Sequence, residues 1–326
     1  MFLDIDAVEK SYGNLRVLKR VSFQVNEGEL VSIIGPSGAG KTTLLKIIAG
    51  LEEADRGLVT STADLQYNPA ILVFQDYLLF PTMTIFDNVA FGLRCRKTEG
   101  SEIRRRVLDM LDYFQIADKQ KFYPNQLSAG QQQRVALARA MVVSPSILLL
   151  DEPFANLDRN LKAETAEFIR NFQREYTITT LSVTHDLQEA FMMSDKIGIM
   201  LDGRLCQYDD VRTVYNHPVS TRVADFLGHV NIIPARCLAA VGLEEEKPAG
   251  DIRVRAEAIG MEKDSNGHGL VTNILFAGHF IIYRVHLDDI VLTAYSFNPD
   301  FAEGDRVRIY IKQFIPMEDR PCDYSG

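Results

Sequence analysis

The sequence predicts two folds in tandem: an α/β domain on a mainly parallel sheet, then a small all-β domain. Three observations predict it. Short apolar runs such as LVSII (Leu30–Ile34), ILLLD (Ile147–Asp151) and KIGIML (Lys196–Leu201) alternate with longer segments of helical spacing, the order expected where helices cover parallel strands. A glycine-rich turn joins the first of these runs to one such helical segment. Near Asn231 the texture changes, and IRVRAEAI, HFIIYRVHL and RVRIYIK alternate apolar with polar residues between the turns DSNGHG and AEGD, which reads as short strands. The boundary is expected between Gly228 and Pro234, giving domains of residues 1–230 and 231–326.

At 326 residues there is room for both. The formal net charge of −9 argues against a general nucleic-acid binder, so no nucleic-acid partner is expected. Cys95, Cys206, Cys237 and Cys322 lie far apart without metal-ligand spacing and read as reduced thiols. The start, MFLDIDAVEK, has no signal-peptide core, and no apolar run approaches the roughly 18 residues that span a bilayer. A role at a membrane would need another chain to cross it.

Along the chain, early strands with polar turns occupy residues 2–31. The stretch GPSGAGKTT follows: Gly35, Pro36, Ser37, Gly38, Ala39, Gly40, Lys41, Thr42 and Thr43. It fits G-x-x-x-x-G-K-[ST] between a strand and a helix. Glycine lets backbone N–H groups turn inward around phosphate oxygens, and the helix N-terminus adds partial positive charge. Lys41 would reach the β- and γ-phosphates and the Thr42 hydroxyl would hold Mg2+. The stretch implies a nucleoside triphosphate. Helical spacing marks residues 85–140, where LSAGQQQR leads into QRVALARAM with Ser128 as N-cap. Arg104, Arg105 and Arg106 read as a solvated helix face. ILLLDEP then delivers two adjacent carboxylates. Asp151 suits Mg2+ binding, and Glu152 suits polarising an attacking water. A helix over residues 161–176 carries Phe168, Ile169, Phe172 and Tyr176 on one face. TTLSVTH ends in His185.

Together GPSGAGKTT, LSAGQ, ILLLDEP and THD resemble the nucleotide-binding subunits of ABC transporters over most of residues 1–230. The fold implied is an ABC-type P-loop NTPase domain with a helical subdomain at about residues 85–140. LSAGQ is similar to the family's LSGGQ signature, with Ala129 in place of the first glycine. The resemblance implies that Tyr12 stacks on adenine, that Gln75 contacts Mg2+ and water, and that Asp158 works across a dimer interface. It implies that His185 contacts the γ-phosphate. It also implies a homodimer in which Ser128, Gly130 and Gln131 of one copy cap the ATP held by the other. YLLFPTMTIFDNVAFGL is either the contact zone for a transmembrane permease or core. The tail after residue 231 resembles the OB-type TOBE domain of importer ATPases: RVRAEAIGM is like the R-P-E-x-I strand with Ala256 for proline, and EGDRVRIYIK is like the closing strand. The expected protein is an importer ATPase on the cytoplasmic face of the inner membrane, peripheral, serving a permease pair and indirectly an extracytoplasmic solute receptor. Polyamine, ferric iron or sulfate is the expected solute class. An exporter ATPase and a soluble ABC ATPase stay open as alternatives.

Overall fold

A computed structural model describes residues 1–63, 68–155, 157–243 and 250–316. Cys322 lies outside them. The chain divides into two compact units after Val211.

The first unit runs β1 (Leu3–Tyr12), β2 (Leu15–Val25), β3 (Leu30–Ile34), α1 (Lys41–Ile48), β4 (Arg56–Ser61), β5 (Ala70–Val73), α2 (Ile85–Cys95), α3 (Gly100–Tyr113), α4 (Ala129–Met141), β6 (Ile147–Asp151), α5 (Arg159–Tyr176), β7 (Thr179–Thr184), α6 (Leu187–Met193), β8 (Lys196–Leu201) and β9 (Arg204–Asp210). The main sheet has the order β5-β6-β7-β3-β8-β9. It is parallel from β5 to β8, and β9 closes it antiparallel. β3, β6 and β7 are buried at every position, which is why, apart from Asp151 at the end of β6, their runs are continuously apolar or carry only short hydroxyl residues rather than alternating. The early strands do not join this sheet. β1 pairs antiparallel with β2 and β4 in a separate three-stranded sheet, and the core between holds Phe23, Leu44, Leu45, Ile33 and Leu149.

A second core lies under the helices and holds Val89, Leu111, Phe114, Leu137, Phe154 and Phe172. Thr84 caps α2, accepting from Asp87 N at 3.1 Å. The buried Asn88 amide satisfies the preceding loop through Phe80 N and O, Met83 O and Thr84 O. α3 buries Ile103, Val107 and Leu111, four residues apart, and turns its arginines outward. Arg105 pairs with Glu102 at 2.7 Å and Asp109 at 3.1 Å, a solvated helix face. On α5, Ile169 and Phe172 are core, whereas Tyr176 is 43% exposed and stacks on Phe172 with ring centroids 4.6 Å apart.

The second unit begins with α7 (Val211–Asn216) and α8 (Thr221–Leu227), so this pair, placed with the first domain by the sequence reading, groups with the second. Buried Arg255 is the physical tie. It donates to Tyr215 O at 2.9 Å and Ala224 O at 3.4 Å and lies 4.0 Å over the Tyr215 ring. Strands β10 (Val230–Ile233), β11 (Ile252–Arg255), β12 (Ile259–Lys263), β13 (Gly269–Phe276), β14 (Ile281–Leu287), β15 (Ile290–Ser296) and β16 (Arg306–Ile311) follow. β12-β16-β13-β14-β15 form an antiparallel sheet and β10-β11 a separate pair. IRVRAEAI is therefore not one strand. A turn at Ala256–Ala258 divides it between two sheets.

Candidate functional site

The parallel sheet brings three loops to one crevice. Ile34 at the end of β3 pairs with Thr184 of β7, and Asp151 at the end of β6 pairs with Val183. Ligands of open parallel sheets lie outside such carboxyl ends. The turn of residues 35–40 leaves β3 here, and α1 begins at Lys41. A Cβ on Gly35 would lie 2.1 Å from Met200 O, and one on Gly40, at φ +99°, 2.9 Å from Val17 O. Packing therefore demands both glycines. Pro36, Ser37 and Gly38 form the exposed lip, and Ala39 is buried behind it. The outcome is a concave backbone cradle opening onto a helix N-terminus, a shape that takes oxyanions.

Lys41 is 6% exposed, and its ammonium donates to Gly35 O at 2.8 Å and Pro36 O at 3.1 Å. Burial pushes its pKa down, and the charges of Glu152 and Asp151 pull it back. The Thr42 hydroxyl donates to Asp151 Oδ1 at 2.9 Å, which joins two motifs distant in the chain. Burial raises the Asp151 pKa, and the Thr42 bond opposes that rise. Thr43 follows, half-buried.

Glu152 takes φ +47°, the left-handed region that a residue with a side chain occupies only under constraint. Its N–H donates to Val183 O at 2.9 Å, which holds the turn. That turn aims its carboxylate at His185, with Oε2 2.8 Å from Nδ1. A web missed by the sequence reading fixes the strand end that carries His185. Asp186 caps α6, accepting from Gln188 N at 2.9 Å. Thr184 Oγ1 donates to Glu189 Oε2 at 2.7 Å, and Lys162 Nζ lies 2.8 Å from Glu189 Oε1. Burial raises the Glu189 pKa. The available signal was Asp186 followed three residues on by Glu189, a cap pattern.

Tyr12 ends β1 and is 48% exposed, its hydroxyl donating to the Glu52 carboxylate. Gln75 is exposed just past β5, and because Val73 pairs with Leu150 it sits at the same end of the sheet as Asp151. Ser128, Gly130 and Gln131 form the start of α4. Ser128 N donates to Gln131 Oε1 at 3.0 Å and Gln131 N to Ser128 Oγ at 3.4 Å. A Cβ on Gly130 would lie 2.7 Å from Leu161 Cδ2, so the second glycine of LSAGQ seats α4 on α5. Asp158 is the exposed N-cap of α5 without a side-chain cap bond. The structure thus gathers residues 35–43 with Asp151, Glu152 and His185. Among the described residues it shows no hydrogen bond from Ser128, Gly130, Gln131 or Asp158 to that group.

A second unforeseen feature adjoins Gln75. Tyr77 and Leu78 have φ +58° and +42°, two successive left-handed residues. Arg139 of α4 clasps them, donating to Tyr77 O at 2.7 Å and Leu78 O at 2.8 Å. The sequence reading took Arg139 only as part of a helical pattern. Arg139→Ala should destabilise the full chain by about 3 kcal/mol, since two charge-assisted bonds are lost and two carbonyls lose their partner. Urea unfolding measures this, and a loss below about 1 kcal/mol would show that the elbow holds itself.

Comparison with known proteins agrees with this geometry. The sequence model of the ABC transporter family matches residues 18–155. The spermidine/putrescine import ATP-binding protein PotA of Haemophilus influenzae is 43% identical over 239 residues, 72% of this chain and 64% of that protein. The sulfate/thiosulfate import ATP-binding protein CysA of Thermosynechococcus vestitus is 39% identical over 300 residues, 89% of this chain and 88% of that protein. Among solved structures, the dimeric bacterial ABC transporter cassette MJ0796 superposes with a TM-score of 0.58 at 33% identity, covering 64% of this chain and 99% of that one. The same cassette is also known in a post-hydrolysis state bound to ADP and Pi. A phosphate cradle at the carboxyl ends of a parallel sheet, facing an Asp-Glu pair and a histidine, is here combined with close similarity across nearly the whole chain: the chain belongs to the ABC transporter family.

Proposed function

We propose that this chain is the ATPase subunit of an ABC importer, coupling ATP binding and hydrolysis to solute uptake through a separate permease. The observation that carries it is the Glu152–His185 contact of 2.8 Å beside the Lys41 cradle. Glu152 accepts a proton from water as the water oxygen attacks the γ-phosphorus. The bond to the departing ADP oxygen breaks. Lys41 balances the phosphate charge, and His185 holds Glu152 in line and contacts the γ-phosphate. Thr42 and Asp151, with Gln75, would hold Mg2+, whose role is to neutralise phosphate charge. The 2.9 Å hydroxyl–carboxylate pair offers the hard oxygen donors that such an ion takes when phosphates complete its shell. Tyr12 receives the adenine ring.

Ser128, Gly130, Gln131 and Asp158 bond to no cradle residue of their own chain among those described, which supports a head-to-tail homodimer where they close the partner's ATP. Relatives named for polyamine and sulfate import, with the Fe(3+) ions import ATP-binding protein FbpC of Photorhabdus laumondii at 36% identity, support that range of solutes. No described helix is long and apolar enough to cross a membrane. The protein then acts as a peripheral subunit on the cytoplasmic face, with the solute receptor on the far side of the permease. A largely apolar cleft of about 530 Å³, lined by Phe74, Leu78, Phe80, Phe91 and Val143, suits a permease segment. The second unit, from Arg212, serves as the TOBE-like domain in dimerisation and regulation, and the first unit as the ATP-binding domain.

The test is capture. Tagged Glu152→Gln protein, solubilised from membranes of its own cell with ATP present, should retain a pair of permease subunits. Recovery of ribosomes or repair factors with no membrane protein would overturn the importer reading.

A further inference from the structure

The sequence reading placed Tyr12 against the nucleotide base but left unexplained what holds an exposed tyrosine at a strand end in position. The turn after α1 supplies its partner. The Tyr12 hydroxyl donates to Glu52. Lys10 Nζ lies over the Tyr12 ring, 5.6 Å from its centroid. It also sits 3.3 Å from Glu52 Oε1 and 3.5 Å from Asp55 Oδ1, and donates to Glu53 O at 2.7 Å. The backbone is stitched as well. Ser11 N donates to Asp55 Oδ2 at 2.7 Å, and Asp55 N to Glu9 O at 2.9 Å. Lys10 and Glu52 are themselves only 14% and 20% exposed at the side chain.

We propose that Glu52 is a positioning residue for base binding, locking the Tyr12 ring to the helix whose other end forms the phosphate cradle. The inference rests on the reading of Tyr12 as the base-stacking residue. Its logic is geometric. An unrestrained tyrosine pays rotamer entropy each time it meets a base, and a preformed one does not. Glu52 lies just beyond the C-terminal end of α1, whose first residue is Lys41. Tyr12, bonded to Glu52, is tied to the far end of the helix that begins at Lys41. The distance between base platform and phosphate cradle is then set through α1 as well as through the end of β1. Lys10 takes one ring face by a cation–π contact and leaves the other for the base. The bond to Glu52 also raises the Tyr12 pKa and lowers that of Glu52, so the phenol stays a donor and the carboxylate an acceptor at neutral pH.

The measurement compares two ligands on the full chain: AMP-PNP, which carries a base, and inorganic tripolyphosphate, which does not. Glu52→Ala should weaken AMP-PNP by about three- to tenfold, the scale of one hydrogen bond, with tripolyphosphate affinity unchanged. Glu52→Gln, still able to accept from the phenol, should restore most of the loss. In a Tyr12→Phe background, which lacks the hydroxyl, Glu52→Ala should add little. Equal weakening of both ligands, or no rescue by glutamine, would reduce Glu52 to a structural residue and overturn the proposal. Tyr12→Ala separates the premise from the inference. If it loses AMP-PNP selectively while Glu52→Ala binds as wild type, the platform stands and the lock falls. If Tyr12→Ala does not discriminate between the ligands, the base-stacking reading itself falls, and the proposal with it.

Discussion

Glu152→Gln is expected to bind ATP near wild-type affinity while hydrolysis falls by about 10²- to 10⁴-fold, the usual contribution of a positioned general base. The amide is nearly isosteric with the carboxylate, so the left-handed turn at Glu152 and its N–H bond to Val183 O survive. What disappears is the proton acceptor 2.8 Å from His185 Nδ1. In a homodimer closed by γ-phosphate contacts, a site that binds without hydrolysing accumulates in the closed state. The variant should therefore accumulate as a dimer with ATP, in larger proportion than with ADP. Steady-state phosphate release and size-exclusion chromatography read the two effects. Hydrolysis at the wild-type rate would move the base elsewhere, and Asp151 is already engaged by Thr42.

Lys41→Ala should weaken ATP binding by about two orders of magnitude, the equivalent of one or two charge-assisted bonds to phosphate. The ammonium is buried, is hydrogen-bonded among the described residues to the neutral carbonyls Gly35 O and Pro36 O, and has its pKa depressed by desolvation. A triphosphate compensates that desolvation far better than two carbonyls do. The same depression predicts the sign of a pH effect. As pH rises through the lowered pKa, the ammonium is lost and ATP affinity falls, whereas Lys41→Ala removes that limb of the profile. Isothermal titration across pH measures both, and an unchanged affinity at neutral pH would undo the assignment.

Much of the site was legible because its parts are local. Residues 35–43 encode the cradle through glycine conformations and a helix start, all within a single turn of chain. ILLLD, whose last residue Asp151 is followed by Glu152, and the buried strand run into His185 were equally readable, and each pair of residues lies at a strand end in the structure. Less was legible where the partner is distant. Nothing in QRVALARAM announces that Arg139 clasps the Tyr77–Leu78 elbow. Nothing in LEEAD announces that Glu52 holds Tyr12. IRVRAEAI looked like one alternating strand because a turn of three residues does not disturb an apolar pattern, yet it is divided between sheets.

By itself the sequence singled out the candidate site: the glycine turn that ends at Lys41, the adjacent carboxylates Asp151 and Glu152, and the helix starts near Lys41 and Ser128. Those properties depend on residues within a few positions of one another, where φ preferences, capping and apolar spacing act directly. Only the tertiary structure decided that β7 lies between β6 and β3, so that His185 falls beside Glu152 and Asp151 falls beside Thr42. Strand order is a matter of long-range packing, in which any buried apolar run pairs acceptably with any other. The choice among them is made by the whole core at once.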